Sequence, residues 1–231
     1  MIAQATLEYT STLPLEDALQ ELADRMRGDI SPEPRARLMN LAGDLCFKAL
    51  QRERALLYFD AAIDLYLSAG RFAASAAICE KLVRLKPDVI RARCTLAWLA
   101  IGKGIRSETE EEITDYVRAA QRAGKEGLAS RQLVMMAEAA TRIELRERLA
   151  EHLLEIGAEE DADRVLGAVF AERNGLRPPP PQDEGKLWAK LLRAALMGPQ
   201  ELKDQRPQTP EEGHDGEAAY LPSLGDQAES E

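Results

Sequence analysis

The chain has 231 residues, of which 45% are hydrophobic and only 5% aromatic, and its formal net charge is −10. The acidity is concentrated in residues 198–231, which hold nine acidic and two basic residues. Because no part of the chain forms a basic patch, we expect neither nucleic acid nor an anionic membrane as a partner. The alanine- and leucine-rich composition favours helices over strands.

The N-terminal extension, residues 1–13, has no charged region followed by a long apolar run, so we expect neither a signal peptide nor an anchor there. No stretch approaches the roughly 18 consecutive apolar residues of a membrane helix. The three cysteines, Cys46, Cys79 and Cys94, fall among apolar positions of helical patterns. An odd number of cysteines in such positions predicts buried, reduced thiols and a cytoplasmic location.

Hydrophobic periodicity predicts nine helices between residues 14 and 174. Their expected spans are 14–27, 32–50, 53–69, 71–86, 89–103, 108–123, 128–140, 142–156 and 158–174. Glycines follow five of them and predict left-handed C-caps: Gly70, Gly104, Gly124, Gly157 and Gly175. Capping boxes are predicted at Ser107 with Glu110 and at Thr141 with Glu144. Nine helices of similar length joined by short turns favour a repeat.

A spacing of large and small side chains recurs along these helices. One window has Phe59, Ala62, Ile63, Tyr66, Ser75, Cys79, Leu82 and Pro87; a second runs from Met39 to Ala62, and a third from Leu149 to Val169. This pattern resembles the tetratricopeptide repeat and covers roughly residues 35–174. In physical terms, Gly43, Ala55, Ala62 and Ala162 let two helices approach, while Phe59, Tyr66 and Leu166 fill the space beside them.

The resemblance implies an all-α domain over residues 14–174, with antiparallel helix pairs stacked as a right-handed α-solenoid. The first two windows overlap, so the helix at 53–69 could be the first or the second of its pair. We prefer the register that ends at Pro87, because Gly70 and Pro87 both fit it. The longer segment at 104–112 departs from the repeat.

The C-terminal quarter of the chain changes in character. Residues 175–183 form a proline-rich linker with four consecutive prolines. Residues 184–197 predict a short amphipathic helix with Leu187, Trp188, Leu191 and Leu192 on its apolar face. It is either a possible docking helix, for this chain or for a partner, or a helix that merely extends the solenoid. Residues 198–231 are acidic and rich in Pro, Gly, Glu and Gln, which predicts a disordered tail.

The sequence contains no catalytic, metal or cofactor motif that we recognise, and we therefore expect a protein that is not an enzyme and needs no cofactor. The acidic run Glu108, Glu110, Glu111 and Glu112 is interpreted as the solvated first turn of a helix, where carboxylates favour the helix dipole.

The resemblance also implies a ligand-binding groove lined by the first helix of each pair. Its candidate residues are Leu57, Asp60, Asp64, Arg91 and Trp98, with Cys94, Gln132 and Met136 as further positions. Grooves of this family that clamp a peptide carboxylate use Lys and Asn, so the two aspartates argue against that ligand. Trp98 is either an exposed aromatic anchor or a core residue. Arg91 is interpreted as a surface charge whose loss folding would tolerate.

We therefore expect a scaffold or adaptor that binds a peptide or helix of another protein, with self-association also possible. The alternative is a non-catalytic regulatory subunit of an enzyme or of a secretion or signalling complex. The alanine-, leucine- and arginine-rich usage is typical of bacterial proteins.

Overall fold

The protein is seen in a computed structural model that describes residues 13–28, 30–104 and 106–176. This part of the chain holds nine helices and no strand: α1 Leu15–Met26, α2 Pro32–Lys48, α3 Arg52–Ser68, α4 Phe72–Leu85, α5 Ile90–Lys103, α6 Arg106–Arg122, α7 Glu126–Ala139, α8 Ile143–Glu155 and α9 Glu159–Arg173. Each lies within two residues of its predicted span, so the all-α prediction is confirmed here. The predicted extension, linker, docking helix and tail lie outside the described residues, apart from residues 13, 175 and 176.

The helix ends follow the sequence signals at the C-termini and depart from them at two N-termini. All five predicted C-cap glycines have a positive φ, between 63° and 76°. The two capping boxes are wrong. Ser107 lies inside α6, whose first turn is held to α5 by a buried hydrogen bond from Thr109 Oγ1 to the Ala100 carbonyl, 3.1 Å long. At α8 the N-cap is Arg142, without a side-chain capping bond.

Each helix packs against the next one in the chain, and the most extensive contact joins α2 and α3. Gly43 of α2 lies directly against the buried ring of Phe59 of α3. Lys81 of α4 places its Nζ 4.5 Å from the centroid of the same ring. The prediction that small residues permit close helix approach is confirmed at Gly43.

The apolar core consists of two clusters that meet at α5. The first is built mainly from α1 to α4 and receives Ala92, Leu96 and Leu99 from α5. The second is built mainly from α6 to α9 and receives Cys94, Ala97, Trp98 and Ile101 from α5. Ten of the fourteen residues of α5 are buried, so this helix is interior to the fold.

Polar contacts also link helices that are two apart in the chain. Arg54 of α3 pairs with Glu16 of α1, Lys81 of α4 with Asn40 of α2, Trp98 of α5 with Gln132 of α7, Gln121 of α6 with the Glu155 carbonyl of α8, and Ser130 of α7 with Asp161 of α9. The Trp98–Gln132 and Gln121–Glu155 pairs are both 34 residues apart in the sequence. The other three pairs are 38, 41 and 31 residues apart, so alternate helices contact one another at similar but unequal spacings.

Membrane insertion has no candidate among these helices, since none of the described ones combines the length and the apolar character that crossing a bilayer requires.

Replacing Gly43 with Ala tests the α2–α3 contact. A Cβ at this position would lie 2.6 Å from Phe59 Cε1, too close for two carbon atoms, and the buried ring has little room to move. Overpacking of a core costs about 1–3 kcal/mol, which exceeds the roughly 0.5–1 kcal/mol that helical Ala gains over Gly. We expect Gly43→Ala to lower the denaturant midpoint of unfolding.

Gly167→Ala in α9 is the matched control, because a Cβ there meets no atom within 4 Å. It should raise the free energy of unfolding by about 0.5–1 kcal/mol, and with it the denaturant midpoint. If Gly43→Ala and Gly167→Ala shift the midpoint alike, α2 and α3 do not pack as described.

Candidate functional site

The residues predicted to line a groove divide into a buried group and a partly exposed group. Arg91, Cys94 and Trp98 of α5 are buried, and so are Gln132 and Met136 of α7. Leu57, Asp60 and Asp64 lie on α3 and are partly exposed. The groove prediction is therefore wrong for α5 and α7, whose predicted lining faces are interior.

Trp98 is a core residue. Its side chain is 1% exposed, and its indole Nε1 donates a hydrogen bond of 3.0 Å to Gln132 Oε1. A buried indole needs such an acceptor, because an unpaired N–H loses its hydrogen bond to water on folding. The alternative of an exposed aromatic anchor is thereby corrected.

Arg91 joins α5 to α3 through two ion pairs. Its Nη1 lies 2.9 Å from Asp60 Oδ1, and its Nη2 donates to Asp64 Oδ1. The guanidinium is buried while both carboxylates keep some exposure, so water reaches only the acidic side of the cluster. The structure thus brings three of the predicted site residues together, with Leu57 earlier on the same helix.

The interpretation of Arg91 as a dispensable surface charge is wrong, because its charge is compensated inside the fold. Thr95 Oγ1 donates to the Arg91 carbonyl at 3.0 Å, and Arg91 Nε has no hydrogen-bond partner among the described residues. The two carboxylates face this cation, and removing it alone would leave buried charge without its partner.

The three cysteines are buried fillers, as predicted. Cys46, Cys79 and Cys94 are buried and free. Burial raises the pKa of the Cys79 thiol well above its ordinary value, an effect that the nearby Arg91 only partly offsets. Burial also raises the pKa of Cys94 to about 12. A thiol that stays protonated at neutral pH is a poor nucleophile and a poor metal ligand.

The acidic run on α6 is only partly the solvated first turn that was predicted. Glu108 and Glu111 are exposed, but Glu112 is half-buried and its Oε2 has no hydrogen-bond partner among the described residues. Burial raises the pKa of Glu112, and Arg93 opposes this shift. The folded state disfavours the ionised form of Glu112. The free energy of unfolding therefore falls as the pH rises and Glu112 ionises, and at lower pH this loss is absent.

No metal centre emerges from these acidic residues. Throughout residues 13–28, 30–104 and 106–176, no three His, Cys, Asp or Glu side chains are arranged to hold a metal ion.

An exposed apolar surface lies on α9, and the sequence interpretation did not predict it. Ala162, Val165 and Val169 face the core, whereas Leu166 is 38% exposed and Phe170 is 64% exposed. Residues four apart lie on one side of a helix, so Leu166 and Phe170 form a continuous apolar surface. We call this pair the α9 strip. The prediction that Leu166 fills the core is wrong.

Polar contacts hold the helix that carries this strip against α8. Arg146 of α8 is buried and donates to Glu172 of α9, and Arg173 Nη2 donates to Glu147 Oε2 at 3.0 Å. Asn174 Nδ2 donates to the Phe170 carbonyl at 2.8 Å and secures the last turn. The strip is therefore presented on a fixed helix. The wide apolar arc of Ala162, Val165, Leu166, Val169 and Phe170 was the sequence signal for it.

The remaining candidate residues are those of the predicted docking helix, Leu187, Trp188, Leu191 and Leu192, which lie outside the described residues. Comparison of the chain with protein-family models, with curated proteins and with solved structures finds no match.

Replacing Arg91 with Met tests whether the guanidinium is interior. The change removes the guanidinium that faces both Asp60 and Asp64. Removing one partner of a buried pair costs about 3–5 kcal/mol, and we expect the lower end because the carboxylates remain partly hydrated. Denaturant unfolding measures the loss.

Two controls make the Arg91 test specific. Arg84→Met changes an exposed arginine of α4 and should alter stability by no more than about 0.5 kcal/mol. Adding Asp60→Asn and Asp64→Asn to Arg91→Met should restore much of the loss, because the negative charges that Arg91 faced are then also removed. An Arg91→Met protein as stable as Arg84→Met would place Arg91 at an open surface.

Proposed function

We propose that this chain is a protein-binding scaffold of the tetratricopeptide type and that its ligand surface is the α9 strip. The observation that carries the proposal is the exposure of Phe170, beside Leu166, on a helix whose valines are buried. Large apolar side chains exposed side by side on a folded domain commonly mark an interaction surface. Aromatic residues are also enriched at the positions that dominate binding energy.

The proposed repeat architecture is supported by two of the five polar contacts between alternate helices. A tetratricopeptide unit contains two helices and about 34 residues. Equivalent positions of successive units are then one period apart, as are Trp98 and Gln132 on α5 and α7 and Gln121 and Glu155 on α6 and α8. The Gly43–Phe59 contact has the small-against-large packing that the resemblance implies.

The chemistry of α9 favours an amphipathic helix as the ligand. Leu166 and Phe170 are spaced by four residues, which is the ridge spacing that packs into the grooves of another helix. The helix carries five acidic and two basic residues. We therefore propose a partner protein that offers an apolar helix face flanked by basic residues.

The proposed setting is the cytoplasm. All three cysteines are free and buried in the fold, as expected of a protein that works in a reducing compartment.

Substituting Phe170 in the full-length chain tests the proposed surface. Phe170→Glu introduces a charge where the partner's apolar face would lie. Because about 1.4 kcal/mol changes affinity tenfold, we expect the loss of this dominant contact to weaken partner affinity tenfold or more. Tagged protein recovered from the organism that encodes it identifies the partner by mass spectrometry. The affinity of the purified partner for each variant is then measured.

Met135→Glu is the control, because Met135 is a large apolar residue that is also exposed, at 38%, on a different helix, α7. It should bind within about twofold of the unmodified chain, and both variants should keep the helical content of the unmodified chain by circular dichroism, which shows that they fold. Unchanged binding by Phe170→Glu, or loss of binding by Met135→Glu, would place the ligand surface elsewhere.

A further inference from the structure

The α9 strip lies at the point where the described helices end. Helices α2 to α8 each pack against the helix before and the helix after them. Helix α9 packs against α8 and α7, and the described part of the chain contains no later helix to cover its other side. Leu166 and Phe170 are exposed on this last described helix.

The sequence that follows contains a segment with a matching apolar face. Leu187, Trp188, Leu191 and Leu192 have the spacing of one face of a helix. A helix over 184–197 would be about 21 Å long and α9 is about 22 Å long, at 1.5 Å per residue. The segment can therefore cover both strip residues at once.

The charges of the two segments are complementary. Helix α9 has five acidic and two basic residues, and Glu159, Glu160 and Asp163 are exposed. Segment 184–197 has three basic residues and one acidic residue. Attraction between the two outer faces adds to the burial of the apolar ones.

The intervening chain has a suitable length. Seven residues, 177–183, separate Leu176 from the segment and include four prolines. At about 3.1 Å per residue they span roughly 22 Å, whereas packed helix axes lie about 8–10 Å apart. The linker is long enough to place the segment beside α9, and its shortness keeps the local concentration of the segment high, in the millimolar range.

We propose that residues 184–197 of the same chain pack on the α9 strip and that a partner helix binds only after displacing them. The packing of residues 184–197 on the strip is argued from α9 and that segment alone. The displacement by a partner helix rests on the proposed function. The strip then exchanges one amphipathic helix for another, and the chain lowers its own affinity for the partner.

Thiol cross-linking in the full-length chain tests where the segment lies. Gly167→Cys places a thiol beside the strip in open space, and Ala189→Cys places one next to Trp188. A short bis-maleimide should join them within one chain. The three native cysteines react poorly, because they are buried and their thiol pKa values are raised.

Ala77→Cys with Ala189→Cys is the matched control. Ala77 is an exposed alanine of α4, and α4 belongs to the other core cluster. We expect the Gly167 pair to give on the order of tenfold more intramolecular product than the Ala77 pair. Adding Phe170→Glu should reduce the Gly167 product to the control yield. Equal yields from the two pairs, or a product that forms only between two chains, would overturn the proposal.

The affinity of the partner for a full-length Trp188→Glu chain tests the displacement. If the segment occupies the strip most of the time, its release should tighten partner binding on the order of tenfold. Unchanged affinity for a partner that Phe170→Glu rejects would overturn the displacement. If no variant binds a partner, the proposed function fails, while the cross-link still decides whether the segment lies on α9.

Discussion

The arrangement of the helices depends on the burial of α5. This helix belongs to both apolar clusters and hides ten of its fourteen residues, including a guanidinium and an indole N–H. Buried polar groups must find partners within the protein. Arg91 pairs with Asp60 on α3, and Trp98 donates to Gln132 on α7. The polar groups of α5 therefore link it to the helices that lie two positions before and two positions after it in the chain.

The same burial determines where a ligand can bind. A groove along α3, α5 and α7 would need exposed side chains on α5, and the predicted ones are interior. The two carboxylates on α3 both pair with Arg91 of α5, inside the fold. Binding is therefore proposed at α9, where apolar side chains are exposed on a firmly held helix.

The sequence predicted the helices well and the surface poorly, for one physical reason. Helix spans and glycine caps depend on local signals, namely periodicity and the left-handed backbone that glycine permits. Exposure depends on which helices cover a given face, and α5 is covered from both sides. Arg91 has the residue type of a surface position and Leu166 that of a core position, yet each occupies the opposite environment. Only packing reveals this exchange.

Fluorescence of Trp98 tests the interior position of α5 most directly. The chain has two tryptophans, so Trp188→Phe leaves Trp98 as the sole indole emitter. A ring that is 1% exposed should give blue-shifted emission, which acrylamide quenches far less than it quenches a free tryptophan derivative. Red-shifted emission that acrylamide quenches readily in the folded protein would show that α5 faces solvent, and would contradict the account.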